Sequence, residues 1–143
     1  MSPSLPRQLR ELVGVYLAQQ RRFVHDQGLP PQAHLLLQLK RLGPVKQGEF
    51  GRASGLDKSW ISRIVDRFVA DGLVQRVLLE DDRRCLRLHL TPAGAEQATL
   101  LDRQLTAHAA QLLAGVPAEA RPALVEALAV LTDALQQHAT PVA

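Results

Sequence analysis

Apolar residues recur at intervals of three and four over most of the chain, the spacing that places them on one face of a helix. The predicted helices span residues 5–26, 31–42, 46–54, 57–71, 92–113 and 117–137. The second of these is apolar around much of its circumference, which predicts a buried central helix. Glycine and proline breaks such as Gly43-Pro44 separate the helices.

The spacing changes from helical to alternating before the fifth helix. Leucines alternate there with polar residues, which is typical of a strand with one buried face. Two strands, 74–79 and 85–90, are predicted, with residues 80–84 as the loop of a hairpin. Thr91 and Pro92 suit the N-cap and the first turn of the helix that follows.

The third and fourth predicted helices flank Gly55, which is the pattern of a helix-turn-helix. In the third helix, Phe50 and Ala53 are expected to face inward. In the fourth, Asp57 is the expected N-cap. A core stripe along the fourth helix consists of Ile61, Ile64, Val65, Phe68 and Val69. With the hairpin, these helices predict a winged helix-turn-helix lobe over residues 31–91.

The composition supports a mainly α fold with a small β wing in one domain of 143 residues. Apolar content is 46% and aromatic content 3%, so Leu and Ala must build the core. Helices 5–26 and 92–137 carry more apolar surface than one lobe can cover. We expect them to form a helical dimerisation region with a second copy; the alternative is a monomer in which they fold back on the lobe.

Positive charge is concentrated in the winged part of the chain. Residues 40–87 contain 11 Lys or Arg and 7 Asp or Glu, whereas the remainder contains 6 and 7. This distribution favours a lobe that binds duplex DNA on a nearly neutral scaffold. An ordinary solvated surface is the alternative that the charge excess alone leaves open.

Three stretches, in this order, resemble the MarR family of winged helix-turn-helix regulators. They are residues 55–67 (Gly-Leu-Asp-Lys-Ser-Trp-Ile-Ser-Arg-Ile-Val-Asp-Arg), 71–74 (Asp-Gly-Leu-Val), and 81–84 (Asp-Asp-Arg-Arg) followed by 90–94 (Leu-Thr-Pro-Ala-Gly). The resemblance implies a homodimeric transcription regulator, more often a repressor, on a pseudo-palindromic double-stranded operator. The fourth helix would lie in the major groove and the wing in the minor groove. It also implies release by a small anionic or aromatic effector.

The resemblance places Ser59, Ser62 and Arg63 at groove-facing positions of the recognition helix. Arg84 matches the wing arginine that enters the minor groove, and Asp82 the carboxylate that orients it. Arg63 suits bidentate reading of guanine, and Arg84 suits a narrow, electronegative minor groove. The remaining DNA-binding candidates are the cations Lys46, Lys58, Arg67 and Arg83, together with Trp60.

Two features depart from the family pattern. Trp60 is bulky beside the reading face; it is expected either to contact sugar or a thymine methyl group, or to pack on the third helix. Phe50-Gly51 stands where many relatives have a Leu-Ala pair, which makes the third helix less regular.

An effector pocket has weaker support from the sequence. Tyr16 and His34 are candidate polar lining residues, and Arg10 and Arg22 are candidates for binding a carboxylate. The alternative is that Tyr16 and His34 are interface residues. Cys85 is the only cysteine, which excludes an internal disulfide framework and fits a reducing cytoplasm; it is either a redox site or a small strand residue.

The sequence offers no pattern for catalysis, a cofactor or a metal. It contains no glycine-rich phosphate loop, nucleophile elbow or paired metal-ligand motif, so we expect a protein that is not an enzyme. No apolar run approaches the length of a membrane span, and no signal peptide is evident. The alternative function is a winged dimer that binds a protein or ligand without reading DNA. Such a module would be expected to lack the cations that this chain keeps.

Overall fold

The computed structural model of the protein describes residues 2–79 and 82–139, and the side chains of residues 2–78 and 86–138. It divides into two compact units, residues 1–108 and 109–143. The first unit contains α1 (Leu5–Asp26), α2 (Ala33–Leu42), β1 (Val45–Lys46), α3 (Gln47–Ser54), α4 (Lys58–Ala70), β2 (Val74–Leu79), β3 (Asp82–Leu90) and most of α5 (Pro92–Leu112). The second contains the end of α5, two short 3-10 turns, and α6 (Arg121–Ala139). The predicted mainly α fold with a small β wing is confirmed.

The core of the first unit lies between α2, α4, α5 and the sheet. Its fully buried side chains include Leu36, Phe50, Val65, Leu88 and Leu101, which come from α2, α3, α4, β3 and α5. The prediction that α2 is a buried central helix is confirmed by four buried residues along its ten positions. None of the helices in the described part of the chain is both long and apolar enough to cross a membrane.

Two residues expected in the core lie outside it. Ala53 is exposed, and Gly51 is buried in its place. A Cβ added at Gly51 would lie 3.4 Å from Cγ1 of Ile61, so α3 approaches α4 through the Phe50-Gly51 side and turns Ala53 away. Val69 is 37% exposed, because it lies at the edge of the stripe that α4 buries.

The sheet is antiparallel, in the order β1-β3-β2. The two-residue β1 was not predicted, because Val45-Lys46 is too short to show a period. The expected start of β3 at Cys85 was wrong. The strand begins at Asp82, since the register shifts after Leu78↔Leu86 and Leu79 then pairs with Asp82.

Two helix starts also differ from the prediction. α2 begins at Ala33 rather than at residue 31, because the amide of Ala33 donates to the carbonyl of Pro30 at 3.0 Å and closes a turn first. The last helix begins at Arg121, since a 3-10 turn occupies residues 118–120.

The exit of α4 is joined to the start of α5. Thr91 caps α5 as predicted: its Oγ1 accepts from the amide of Gly94 at 3.0 Å and donates to the carbonyl of Gly72 at 2.6 Å. A Cβ at Gly94 would overlap the carbonyl oxygen of Leu73, so only glycine permits this approach. The junction fixes the direction in which the sheet follows α4.

Candidate nucleic-acid interface

The turn between α3 and α4 holds the N-terminus of α4 at the surface. Gly55 ends α3 in the left-handed conformation, with a φ of 67°, and its amide donates to the carbonyl of Arg52. Asp57 caps α4 as predicted, because its carboxylate accepts from the amide of Trp60 at 2.9 Å. The backbone turn at Gly55 and the Asp57 cap therefore hold the first turn of α4.

The outward side of α4 carries the predicted polar and cationic residues. Lys58, Ser59, Arg63 and Arg67 are exposed, and Ser62 is half-buried. None of the three cations forms an ion pair with any residue that the structure describes. Their charge is therefore available to an anionic partner.

α3 is attached to α2 through polar side chains. Nε2 of Gln38 donates to the carbonyl of Ala53 at 2.9 Å, and Oγ of Ser54 donates to Oε1 of Gln38 at 3.1 Å. These bonds set the position of α3, against which α4 packs, relative to the central helix.

Arg76 connects β2 to both helices of the helix-turn-helix, a role that sequence reasoning missed. Its Nη2 lies 2.5 Å from the Asp66 carboxylate on α4, and its Nε lies 3.4 Å from Oε1 of Gln47 on α3. The carboxylate of Asp66 is exposed among the α4 cations. The sequence could have indicated this contact, because Asp66 is an acid among the cations of a predicted helix. It lies ten residues before Arg76, an arginine on the core side of a predicted strand.

Arg87, at the base of the wing, is a second cation that was not predicted to belong to the site. Lys46 of β1 is the register partner of Arg87 on β3, and paired residues share one face of a sheet. Lys46 is exposed, while Nε of Arg87 is buried and has no hydrogen-bond partner among the described residues. The side chains of the predicted wing-tip residues Asp82, Arg83 and Arg84, and of Cys85, lie outside the described residues.

Trp60 is 52% exposed. It forms one wall of an open cleft of about 170 Å³. The other lining residues are Gln32 at the start of α2 and Arg63, Ile64, Arg67 and Phe68 of α4. No residue of α3 lines this cleft.

A larger cavity, of about 680 Å³, lies between α1, the turn that follows it, α2 and α5. Its polar lining includes Gln20, Arg21, His25 and His34. Of the four predicted effector residues, the structure places only His34 in this cavity. Tyr16, Arg10 and Arg22 lie on α1 but do not line it.

The terminal helices leave apolar side chains uncovered in this single chain. On α1, Leu12, Val13 and Tyr16 are exposed, and no residue of the helix is buried. On α6 the exposed apolar residues are Leu124, Val125, Leu128, Val130 and Leu135.

Comparison with known proteins agrees with this architecture. The family model described as MarR family matches residues 30–86. YsmB of Bacillus subtilis (strain 168), an uncharacterized HTH-type transcriptional regulator, is 31% identical over 91 residues, which are 63% of this chain and 62% of that protein. The chain thus matches less than two thirds of that relative's length.

Solved structures share the fold. Wild-type MarR from E. coli in its apo form has a TM-score of 0.81 at 17% identity, covering 92% of this chain and 98% of that one. CouR from Rhodococcus jostii RHA1, bound to p-coumaroyl-CoA, has a TM-score of 0.70 at 22% identity, covering 98% and 94%. The chain therefore has a winged helix-turn-helix fold. Residues 30–86, which contain α2, α3 and α4, are similar to the MarR family.

Proposed function

We propose that this protein is a homodimeric transcription regulator, acting as a repressor, that binds a specific double-stranded DNA sequence through α4 and the wing. The observation that carries the proposal is the outward side of α4. A capped helix presents short hydroxyl residues and cations that form no ion pair with any described residue, and its other side buries Ile61, Ile64, Val65 and Phe68. A recognition helix presents its N-terminal residues to base edges in the major groove in the same way.

The roles of individual residues follow from their chemistry. Arg63 reads guanine through two hydrogen bonds, while Lys58 and Arg67 bind phosphates. Ser59 and Ser62 are short, so the helix can approach the bases closely. Lys46 and Arg87, which are register partners on β1 and β3 at the base of the wing, add phosphate contacts. Arg84 enters the minor groove, oriented by Asp82 and flanked by Arg83.

We propose that α1, the end of α5, and α6 form the dimer interface. Their uncovered leucine and valine side chains support this role, since such residues are stabilised when a partner removes them from water. A two-fold protein meets two half-sites related by the same symmetry, so the operator is expected to be pseudo-palindromic.

The cavity lined by Arg21, His25 and His34 is the proposed effector site. Its volume lies within the range of small-molecule sites. A guanidinium and two imidazoles beside the apolar side chains of Leu17 and Leu105 suit an anionic group on an aromatic or acyl body. The likeness to CouR, solved with p-coumaroyl-CoA, supports this ligand class.

The DNA-binding proposal is tested by selecting bound fragments from random duplexes and measuring affinity against salt. The logarithm of the affinity is expected to fall linearly with that of the salt concentration. Arg63→Ala should lose about 1–3 kcal/mol per half-site and the preference at one base pair. Lys58→Ala should weaken binding to all sequences and reduce the salt slope by about 1.

Arg103→Ala is the matched control, because it removes the same charge from an exposed position on α5. It should leave both the preference and the slope unchanged. An intact dimer that binds no duplex in a salt-sensitive way would overturn the proposal and favour an interaction module.

A further inference from the structure

Trp60 occupies an unusual position for a large aromatic residue. It is the third residue of α4, and the bond between its amide and Asp57 holds that turn in place. Half of its surface is nevertheless exposed, among cations and hydroxyl groups. Since N-terminal residues of a recognition helix meet base edges, the indole lies where bases are read.

The surroundings of the indole indicate what it can recognise. Trp60 and the side chains of Ile64 and Phe68 give its cleft an apolar lining, and Arg63 and Arg67 add cations. No residue of α3 lines the cleft, and about half of the surface of Trp60 is exposed. The indole offers one hydrogen-bond donor and accepts none, so most of what it presents is apolar surface.

The major groove has one apolar group that matches such a surface. Base edges present donors and acceptors, and thymine adds a 5-methyl group. Arg63 lies three residues after Trp60, so the two side chains are neighbours on the helix surface. A residue beside the guanine-reading Arg63 is therefore placed to meet the adjacent base.

We infer that Trp60 is a specificity-determining residue whose indole packs against the 5-methyl group of a thymine next to the guanine read by Arg63. The inference rests on the proposed function and deepens it. It assigns a methyl-dependent preference to a residue that would otherwise contribute only sugar or phosphate contacts.

The test uses the intact protein and the duplex selected from random sequences. Each thymine of a half-site is replaced in turn by deoxyuridine, which lacks only the methyl group. At one position per half-site the wild-type affinity should fall about fourfold, as expected for one buried methyl group. In Trp60→Ala the same replacement should have no effect, whereas Trp60→Leu, which remains apolar, should keep part of it.

Trp60 is the only tryptophan of the chain, so intrinsic fluorescence reports on this one side chain. Acrylamide should quench it readily in the free protein and less in the complex with the selected duplex. Circular dichroism and a cooperative thermal transition should show that Trp60→Ala is folded, so that a lost methyl effect is not a loss of structure.

Two results would overturn the inference. One is the absence of any thymine whose methyl group affects wild-type affinity; the other is a methyl effect of the same size in Trp60→Ala. In both cases the indole of Trp60 does not read a thymine methyl group. Either result leaves salt-sensitive, sequence-selective binding intact, so it differs from a failure of the proposed function, in which no such binding is seen.

Discussion

The winged lobe and the last helix are built from the same residue types, yet they bury them to very different degrees. In the lobe, Phe50 has no exposed surface, and Leu36 and Val65 are fully buried. On α6, Leu128 is 49% exposed and Val125 is 70% exposed. The lobe thus completes its core within one chain, whereas the apolar residues of α6 remain exposed. A helical apolar pattern identifies the face that will be covered, and it does not identify what covers it.

The largest effect is expected where the core is complete. Phe50→Ala should lower the free energy of unfolding by about 3–5 kcal/mol, because it opens a cavity among side chains that cannot close around it. Chemical denaturation at several protein concentrations measures this. Phe50→Leu, which keeps most of the volume, should cost less than about 1.5 kcal/mol and remains informative if the alanine variant does not fold.

A loss of less than about 1 kcal/mol in Phe50→Ala would mean that the lobe core is looser than its burial indicates. In that case the contrast with α6 would disappear. The exposed Val125 provides the control, since Val125→Ala in a monomeric state should change stability by no more than about 0.5 kcal/mol.

On α6, the expected effect of a substitution is on dimerisation. Leu128→Asp should raise the dimer dissociation constant by about 100-fold, since each of two copies loses the burial of one leucine. Sedimentation equilibrium measures this, with circular dichroism to show that helix content is kept. Glu126→Lys is the matched control, because Glu126 lies on the side of α6 opposite its leucines.

An unchanged dissociation constant in Leu128→Asp would contradict the dimer role of α6. A parent protein that is monomeric at all concentrations would do so as well. The exposed leucines would then need another partner.

Most of the fold could be predicted from the sequence, because long helices and strands show a clear hydrophobic period. The bounds of α1 and β2 agree with the prediction, and the caps at Asp57 and Thr91 are as expected. Short elements did not show a period, so β1 was missed. The core role of Gly51 was missed as well, because it depends on how closely α4 approaches rather than on hydrophobicity.

The placement of a candidate site residue was predictable where it depends only on the residue's own position along one helix. Lys58, Ser59, Arg63 and Arg67 are all found on the outward side of α4. The contacts of Arg76 were not predictable, because they join residues of three elements whose relative positions come from the fold. The lining of the cavity was not predictable for the same reason: spacing along α1 did not reveal that Arg21, rather than Arg10 or Arg22, lies there beside His34.

The smallest expected effect concerns the contact that connects the wing to α4. Arg76→Ala leaves the carboxylate of Asp66 without its partner on the cationic side of α4. The free energy of unfolding should fall by only about 0.2–1 kcal/mol, because Asp66 is well exposed to solvent. DNA affinity should fall as well, since the unpaired carboxylate repels phosphates.

The double variant Arg76→Ala/Asp66→Asn separates charge compensation from wing positioning. If Arg76 acts by neutralising Asp66, the amide should restore most of the lost affinity for a random duplex. If Arg76 acts by holding β2 against α3 and α4, the double variant should remain as weak as Arg76→Ala, because neither the amide nor Gln47 then has an arginine to bind. Equal affinity of the parent and Arg76→Ala would show that the wing does not depend on this contact, and that the sheet and the Thr91–Gly94 junction hold it in place by themselves.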